Sequence, residues 1–161
     1  MNDIRQSPEV LWSGQVLEEW TDYNGHLRDA YYLLIFSLAG DALLDWLGLD
    51  AQGRERSGHS MFTLECHLNY LHELKYGDEV EVRWQLLSAD KKRLHLYFSV
   101  HRRGVDVAAA VAEQMWLNVD MNGPKSAPFH PSVQSLVSIL ATDHGMRSRP
   151  KLVGRSIALP A

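Results

Sequence analysis

Residues 30–40 carry no charge: Ala30, Tyr31, Tyr32, Leu33, Leu34, Ile35, Phe36, Ser37, Leu38, Ala39 and Gly40. The run continues through Asp41, Ala42, Leu43, Leu44, Asp45, Trp46 and Leu47 to Gly48. This predicts one long helix, with Asp29 at its positive N-terminal end and Gly48 at its C-terminal cap. A helix apolar on nearly every face either spans a membrane or is enclosed by protein. Asp41 and Asp45 break the run before it reaches the roughly 18–20 apolar residues that a span needs. The helix is therefore expected to be enclosed, and the rest of the chain must wrap it.

The following sequence supplies the wrap. Phe62, Leu64, Cys66, Leu68 and Tyr70 alternate with Thr63, Glu65, His67 and Asn69. Val80, Val82, Trp84 and Leu86 form a second alternating set, and Leu94, Leu96, Phe98 and Val100 a third. Val105, Val107, Ala109, Val111, Met115, Leu117 and Val119 are expected on one face of a long last strand. Period-two patterning over such runs predicts strands. The connections Ser88-Ala89-Asp90-Lys91-Lys92 and Arg102-Arg103-Gly104 are short enough for hairpins, so the sheet is mostly antiparallel. Residues 10–20 read as an irregular first strand, broken near Ser13-Gly14. After Asn122-Gly123-Pro124 a short amphipathic helix is expected, with Pro131 near its start and Val133, Leu136, Val137 and Leu140 on one side. The basic last stretch (Arg147, Arg149, Lys151, Arg155) is expected to be loosely held.

No repeat, linker or low-complexity tract divides the chain. One domain over residues 1–161 is expected, with its core at about 10–121 and a C-terminal extension at 122–161. The class is α+β: a long central helix wrapped by a mostly antiparallel sheet of five to six strands. The 161 residues include 16 basic and 20 acidic ones, a net charge of −4, which disfavours nucleic acid as a partner. The single cysteine, Cys66, reads as a small buried hydrophobe, and cannot form an internal disulfide or build a metal site alone. Residues 1–6 have no apolar signal-type stretch. The expectation is a cytoplasmic protein without membrane, metal or redox cofactor. One open sheet leaves strand edges and part of the helix uncovered, which predicts a homodimer or a dimer of dimers.

The chemistry is expected in the turn before the helix, at Asp22, Asn24, Gly25 and His26. A helix start offers unpaired N–H groups and partial positive charge, which can polarise a carbonyl and hold an oxyanion. The amides of Gly25, His26 or Leu27 can serve, and Gly25 permits close backbone approach. A carboxylate beside them can attack the carbonyl or take a proton from water. Asn24 can orient water or the carboxylate, and His26 can fix the turn or donate to substrate. Thioester hydrolysis suits this set, because a thiolate with a pKa near ~8.5 departs with little acid assistance. Thr21, Asp22 and Asn24 are equally good caps, and Gly25 can simply relieve a turn. The residue types alone leave capping and catalysis both open.

The segment Asp22-Tyr23-Asn24-Gly25-His26-Leu27, followed by Tyr31-Tyr32 and the apolar helix, resembles the D-x-N-G-H signature of hotdog acyl-CoA thioesterases. It is also similar to the D-x-N-x-H segment of plant acyl-ACP thioesterases. Three further blocks resemble a narrower group, the betainyl-CoA thioesterases, stand-alone or fused to carnitine dehydrogenase. They are Phe62-Thr63-Leu64-Glu65-Cys66-His67, Ala89-Asp90-Lys91-Lys92-Arg93-Leu94-His95-Leu96 and Ala112-Glu113-Gln114-Met115. The resemblance implies a hotdog fold, hydrolysis of an acyl-CoA ester and Asp22 as nucleophile or general base. A non-catalytic acyl-CoA-binding module and a hotdog enoyl-CoA hydratase are the alternatives. Tyr23, Tyr31, Tyr32, Glu65 and His67 are the expected substrate-binding residues, the aromatic ones because a quaternary ammonium binds on ring faces. Arg102, Arg103 and the basic tail are candidates for coenzyme A phosphates. Glu113 interrupts an apolar face and is either a site residue or turned outward by a bulge.

Overall fold

The computed structural model describes residues 6–159; residues 1–5, part of the segment read for signal character, and 160–161 lie outside them. The long helix is α1, Asp29–Trp46. Gly48 has φ +78°, and the amides of Gly48 and Leu49 donate to the Asp45 and Leu44 carbonyls at 3.1 and 2.8 Å. Only glycine takes that conformation without strain, so the expected cap is formed. The strands are β1 (Val10–Gln15), β2 (His59–Tyr70), β3 (Glu79–Ala89), β4 (Arg93–Arg102), β5 (Ala108–Asp120) and β6 (Lys125–Ser126). They form one sheet in the order β1-β3-β4-β5-β2, every pair antiparallel, with β6 beside β5.

The sheet seats α1 through shape. Phe36 meets Phe98 at 6.3 Å between ring centroids. A side chain at Gly40 would stand 3.1 Å from the Trp116 ring, so the helix rides close to β5. The residues of β5 that face α1 are accordingly small or flat: Ala110, Ala112 and Trp116 are all core.

Several sequence expectations are corrected. Residues 10–20 are not one strand, because β1 ends at Gln15 and Glu18–Trp20 is a short 3-10 turn. A further helix, α2 (Ala51–Ser57), was not anticipated; Asp50 caps it by accepting the Gly53 N–H at 2.7 Å. In β5 the helix-facing side carries Ala110, Ala112, Gln114 and Trp116, not Val111, Met115 and Val119. Val105 and Val107 precede the strand. In β2 the register shifts between Thr63 and Glu65. Phe62, opposite Leu117, therefore lies on the other face from Cys66, opposite Gln114. Cys66 is exposed, since β2 is an edge strand with nothing beyond it. The wrap is also partial: Leu33 and Leu34 of α1 are exposed.

The C-terminal extension joins the core. The expected amphipathic helix is α3, Pro131–Gly145, with Val133, Val137 and Leu140 buried. It packs on β3 beyond Arg83, the last residue of that strand paired to β1. There the fully buried His144 accepts the Leu86 N–H on Nδ1 at 2.8 Å. The ring proton therefore sits on Nε2, facing Ser7 Oγ at 3.1 Å. An edge amide that would lack a partner is thus satisfied by a neutral imidazole. The tail is held at Arg147, which pairs with Asp143 at 3.2 Å, and at Gly154, whose N–H donates to Glu113 at 2.7 Å.

Burial, and then the charge of Arg147, push His144 down to about 4. The unfolded chain binds a proton there near the ordinary value of 6.5, whereas the folded chain does not until about 4. Stability is therefore complete above pH 6.5 and falls as pH drops towards 4, by up to about 3 kcal/mol. Melting temperature measured against pH shows this limb, and His144→Gln flattens it.

Candidate active site

The turn before α1 is closed by its own backbone. Thr21 bridges Leu27, the Asp22 N–H donates to the His26 carbonyl at 2.8 Å, and the Gly25 N–H donates to the Asp22 carbonyl at 3.0 Å. Gly25 sits at φ +74°, where a side chain would be strained. The turn is pinned to the segment after β2: Leu27 N–H donates to the Leu74 carbonyl at 2.8 Å and Tyr76 N–H to the Gly25 carbonyl at 3.0 Å. Arg28 closes the base, its N–H on the Trp20 carbonyl and its Nε on the Thr21 carbonyl at 2.9 Å.

Asp22 has two oxygens with different duties. Oδ1 accepts the N–H groups of Asn24 at 2.8 Å and His26 at 3.1 Å. Both bonds fall on one oxygen, which leaves Oδ2 to face outward. The His26 N–H, with the Asn24 N–H acting against a little burial, holds the carboxyl below its ordinary 3.8, so it is ionised at neutral pH. Capping and chemistry are therefore compatible in this residue. His26 Nε2 lies 3.2 Å from Glu73 Oε2, which ties the turn to the next segment by a side-chain pair.

The backbone oxyanion site expected from the sequence is not open in this conformation. The Gly25, His26 and Leu27 amides donate to the Asp22 carbonyl, Asp22 Oδ1 and the Leu74 carbonyl respectively. The positive end of α1 lies next to the turn and carries partial positive charge.

A cavity of about 910 Å³ abuts this turn through Leu27, Glu73, Leu74 and Lys75. Asp29, Tyr32, Tyr70 and Arg102 also line it. Tyr32 is nearly buried; its hydroxyl accepts the Leu74 N–H at 3.2 Å and donates to the His72 carbonyl at 3.4 Å. Arg102 pairs with Asp78 at 2.9 Å, and Arg103 pairs with Glu79 away from the cavity.

The expected substrate-binding residues are scattered. Tyr23 is 93% exposed. Tyr31 stacks on Trp20, with ring centroids 5.9 Å apart, and only Tyr32 of the three lines the cavity. Glu65 and His67 lie on the sheet face turned away from α1, in a separate depression of about 580 Å³ with His95, Glu113 and Arg155. Glu113 accepts from Gly154 there, and its other oxygen lies 2.6 Å from His95 Nε2. Burial raises the Glu113 carboxyl, but the Gly154 N–H and His95 outweigh it and hold the group below its ordinary value. No bulge turns Glu113; the strand simply presents it on that face. Among the described residues, no group of three His, Cys, Asp or Glu is arranged to hold a metal, and no single helix is long and apolar enough to cross a membrane. Sequence reasoning missed Asp29, Tyr70, Glu73 and Lys75 as cavity residues. The alternation of β2 made Tyr70 look like core.

The profile of the thioesterase-like superfamily matches residues 16–137. The chain belongs to that superfamily. It is 57% identical over 145 residues to the betainyl-CoA thioesterase of Pseudomonas aeruginosa, covering 90% of this chain and 91% of that one. A crystal structure from Pseudomonas putida, described as a candidate thioesterase, superposes with a TM-score of 0.84 at 50% identity, covering 97% of this chain and 100% of that one. A Staphylococcus aureus protein solved in complex with CoA gives a TM-score of 0.87 at 29% identity over 94% of this chain and 96% of that one. The α+β arrangement of curled antiparallel sheet and long helix, shared with these two structures, is the hotdog fold.

Tyr32→Phe removes the acceptor of the Leu74 amide while keeping the ring. Leaving that buried donor unpaired costs about 1–3 kcal/mol, measurable by chemical denaturation.

Proposed function

We propose that the protein hydrolyses an acyl-CoA thioester to the free acid and CoA, with betainyl-CoA as its substrate. The observation that carries this reading is the 57% identity to a betainyl-CoA thioesterase across nine-tenths of the chain. The ionised Asp22 carboxylate, placed in a hydrogen-bonded turn that the 910 Å³ cavity abuts, supports it chemically. In the proposed reaction Asp22 Oδ2 either attacks the thioester carbonyl or takes a proton from a water that attacks it. Asn24 orients the water or the carboxylate. Negative charge collects on the carbonyl oxygen near the N-terminal end of α1 and the Asn24 carboxamide. The C–S bond then breaks and CoA leaves as thiolate; where Asp22 is the attacking group, water then hydrolyses the resulting anhydride, which releases the acid and restores the carboxylate. Gly25 sets the turn, and His26 holds it against Glu73. Arg102 and Lys75 are the cavity's cations and the groups we assign to the CoA phosphates. CoA passes through as part of the substrate.

Asp22→Asn separates the two roles of this residue. The asparagine oxygen still accepts the Asn24 and His26 amides, so melting temperature stays close to that of the wild type. Removal of the anionic oxygen lowers thiol release from betainyl-CoA by about a hundredfold or more. A variant with full activity removes Asp22 from the mechanism.

We further propose that the working unit is at least a homodimer, built across the free edge of β2. Phe62 and Leu64 are exposed along that edge, and Leu33 and Leu34 are exposed on α1. Burying an exposed aliphatic or aromatic side chain contributes roughly 1.5–3 kcal/mol, so four of them repay a sizeable part of association. Leu64→Arg is expected to shift the protein to monomer in light-scattering chromatography, and an unchanged mass places the interface elsewhere.

A further inference from the structure

A betainyl group presents three methyls around a positive nitrogen, with no N–H to donate. It is recognised by π faces and by uncompensated negative charge, not by hydrogen-bond acceptors. We propose that Tyr32 and Tyr70, beside the carboxylate of Asp29, form the corner that receives the substrate's trimethylammonium group. This rests on the betainyl-CoA reading above and assigns the residues that select its charge.

The two rings stand at right angles, 79° between planes with centroids 5.3 Å apart, and both line the large cavity. Tyr32 is nearly buried and fixed through its hydroxyl, so it forms the inner side of the corner. Tyr70 is half exposed and forms the rim. Its hydroxyl donates to the Asp29 main-chain carbonyl at 3.3 Å, which fastens the end of β2 to the start of α1. Burial, and next the Asp29 charge, raise the Tyr70 phenol, so that charge acts across the corner.

Of the cavity's other charged side chains, Lys75 is a cation assigned above to the CoA phosphates, and the remaining two are paired. Arg102 is paired with Asp78, and Glu73 with His26. Asp29 Oδ1 accepts only the Ala30 N–H of its own helix, and no salt bridge neutralises the carboxylate among the described residues. Position agrees with chemistry. A single methylene separates the ammonium from the thioester carbonyl, so the corner must border the place where that carbonyl is polarised. Asp29 is the first residue of α1, whose positive end is assigned that task.

The test compares betainyl-CoA with tert-butylacetyl-CoA, which has the same shape with carbon in place of the charged nitrogen. Thiol release is measured for the wild type, Tyr70→Leu, Tyr70→Phe and Asp29→Asn. The ratio of kcat/KM, betainyl over tert-butylacetyl, is expected to fall about tenfold or more in Tyr70→Leu, chiefly through KM. Tyr70→Phe keeps a ring face and retains the ratio to within about twofold. Asp29→Asn keeps the acceptor for Ala30 and lowers the ratio several-fold. It carries the test alone if Tyr70→Leu fails to fold. Equal losses on both esters, or an unmoved ratio in Tyr70→Leu and Asp29→Asn, overturn the corner and leave thioester hydrolysis standing. A wild type that cleaves only the neutral ester likewise overturns the corner. A wild type that cleaves neither overturns the thioesterase reading and the corner with it.

Discussion

Everything in this protein hangs on the seating of α1. A helix with so little charge gains from every contact that removes it from water, and the curled sheet supplies those contacts on one side. Gly40 lets the helix approach the Trp116 ring closely, and small residues on β5 keep the approach flat. Fixing the helix also fixes its N-terminal end. That end carries local positive charge and borders the 910 Å³ cavity, so in the proposed reaction the packing of a hydrophobic core decides where an electrophile is polarised.

The turn before the helix converts that position into a usable site. Its backbone is spent on itself and on the segment after β2, which costs the turn its free amides but makes it rigid. Asp22 is the product of this economy. One oxygen completes the turn, and the same two N–H groups that it satisfies keep the carboxyl ionised. A carboxylate free on both sides would be less well placed; one locked on both sides would be inert. Division of labour within one side chain explains why the residue types of this turn look the same for a cap and for a catalyst.

Long-range pattern was legible in the sequence and local exceptions were not. The uncharged run announced α1 and its Gly48 cap, and period two announced the strands and the hairpin after Ala89. The register shift at Leu64 was invisible, because a bulge changes which residues share a face without changing the residues themselves. It makes one face of the string Phe62, Leu64, Cys66 into two. In β5 the valines seemed the core face, but both faces of that strand are partly covered, so apolarity ceased to mark the helix side. The turn before α1, to which the chemistry is assigned by proposal, was recognisable as a motif from Asp22, Asn24, Gly25 and His26. The cavity beside it was not, because Tyr70, Glu73 and Lys75 reach it through chain geometry far from the motif.

The elements that leave apolar surface bare also supply residues to the cavity. Leu33 and Leu34 follow Tyr32 on α1, and the free edge of β2 ends at Tyr70. Those two tyrosines meet across the corner of the cavity. In the proposed dimer, a partner lying along the β2 edge as far as Tyr70 would reach the rim of the site. Excluding water there strengthens each electrostatic interaction inside, the attraction of a cation to Asp29 included, since the effective dielectric falls as solvent leaves. If both proposals hold, association and substrate recognition act together: covering this apolar surface would also strengthen the cation–ring contact proposed to select the substrate.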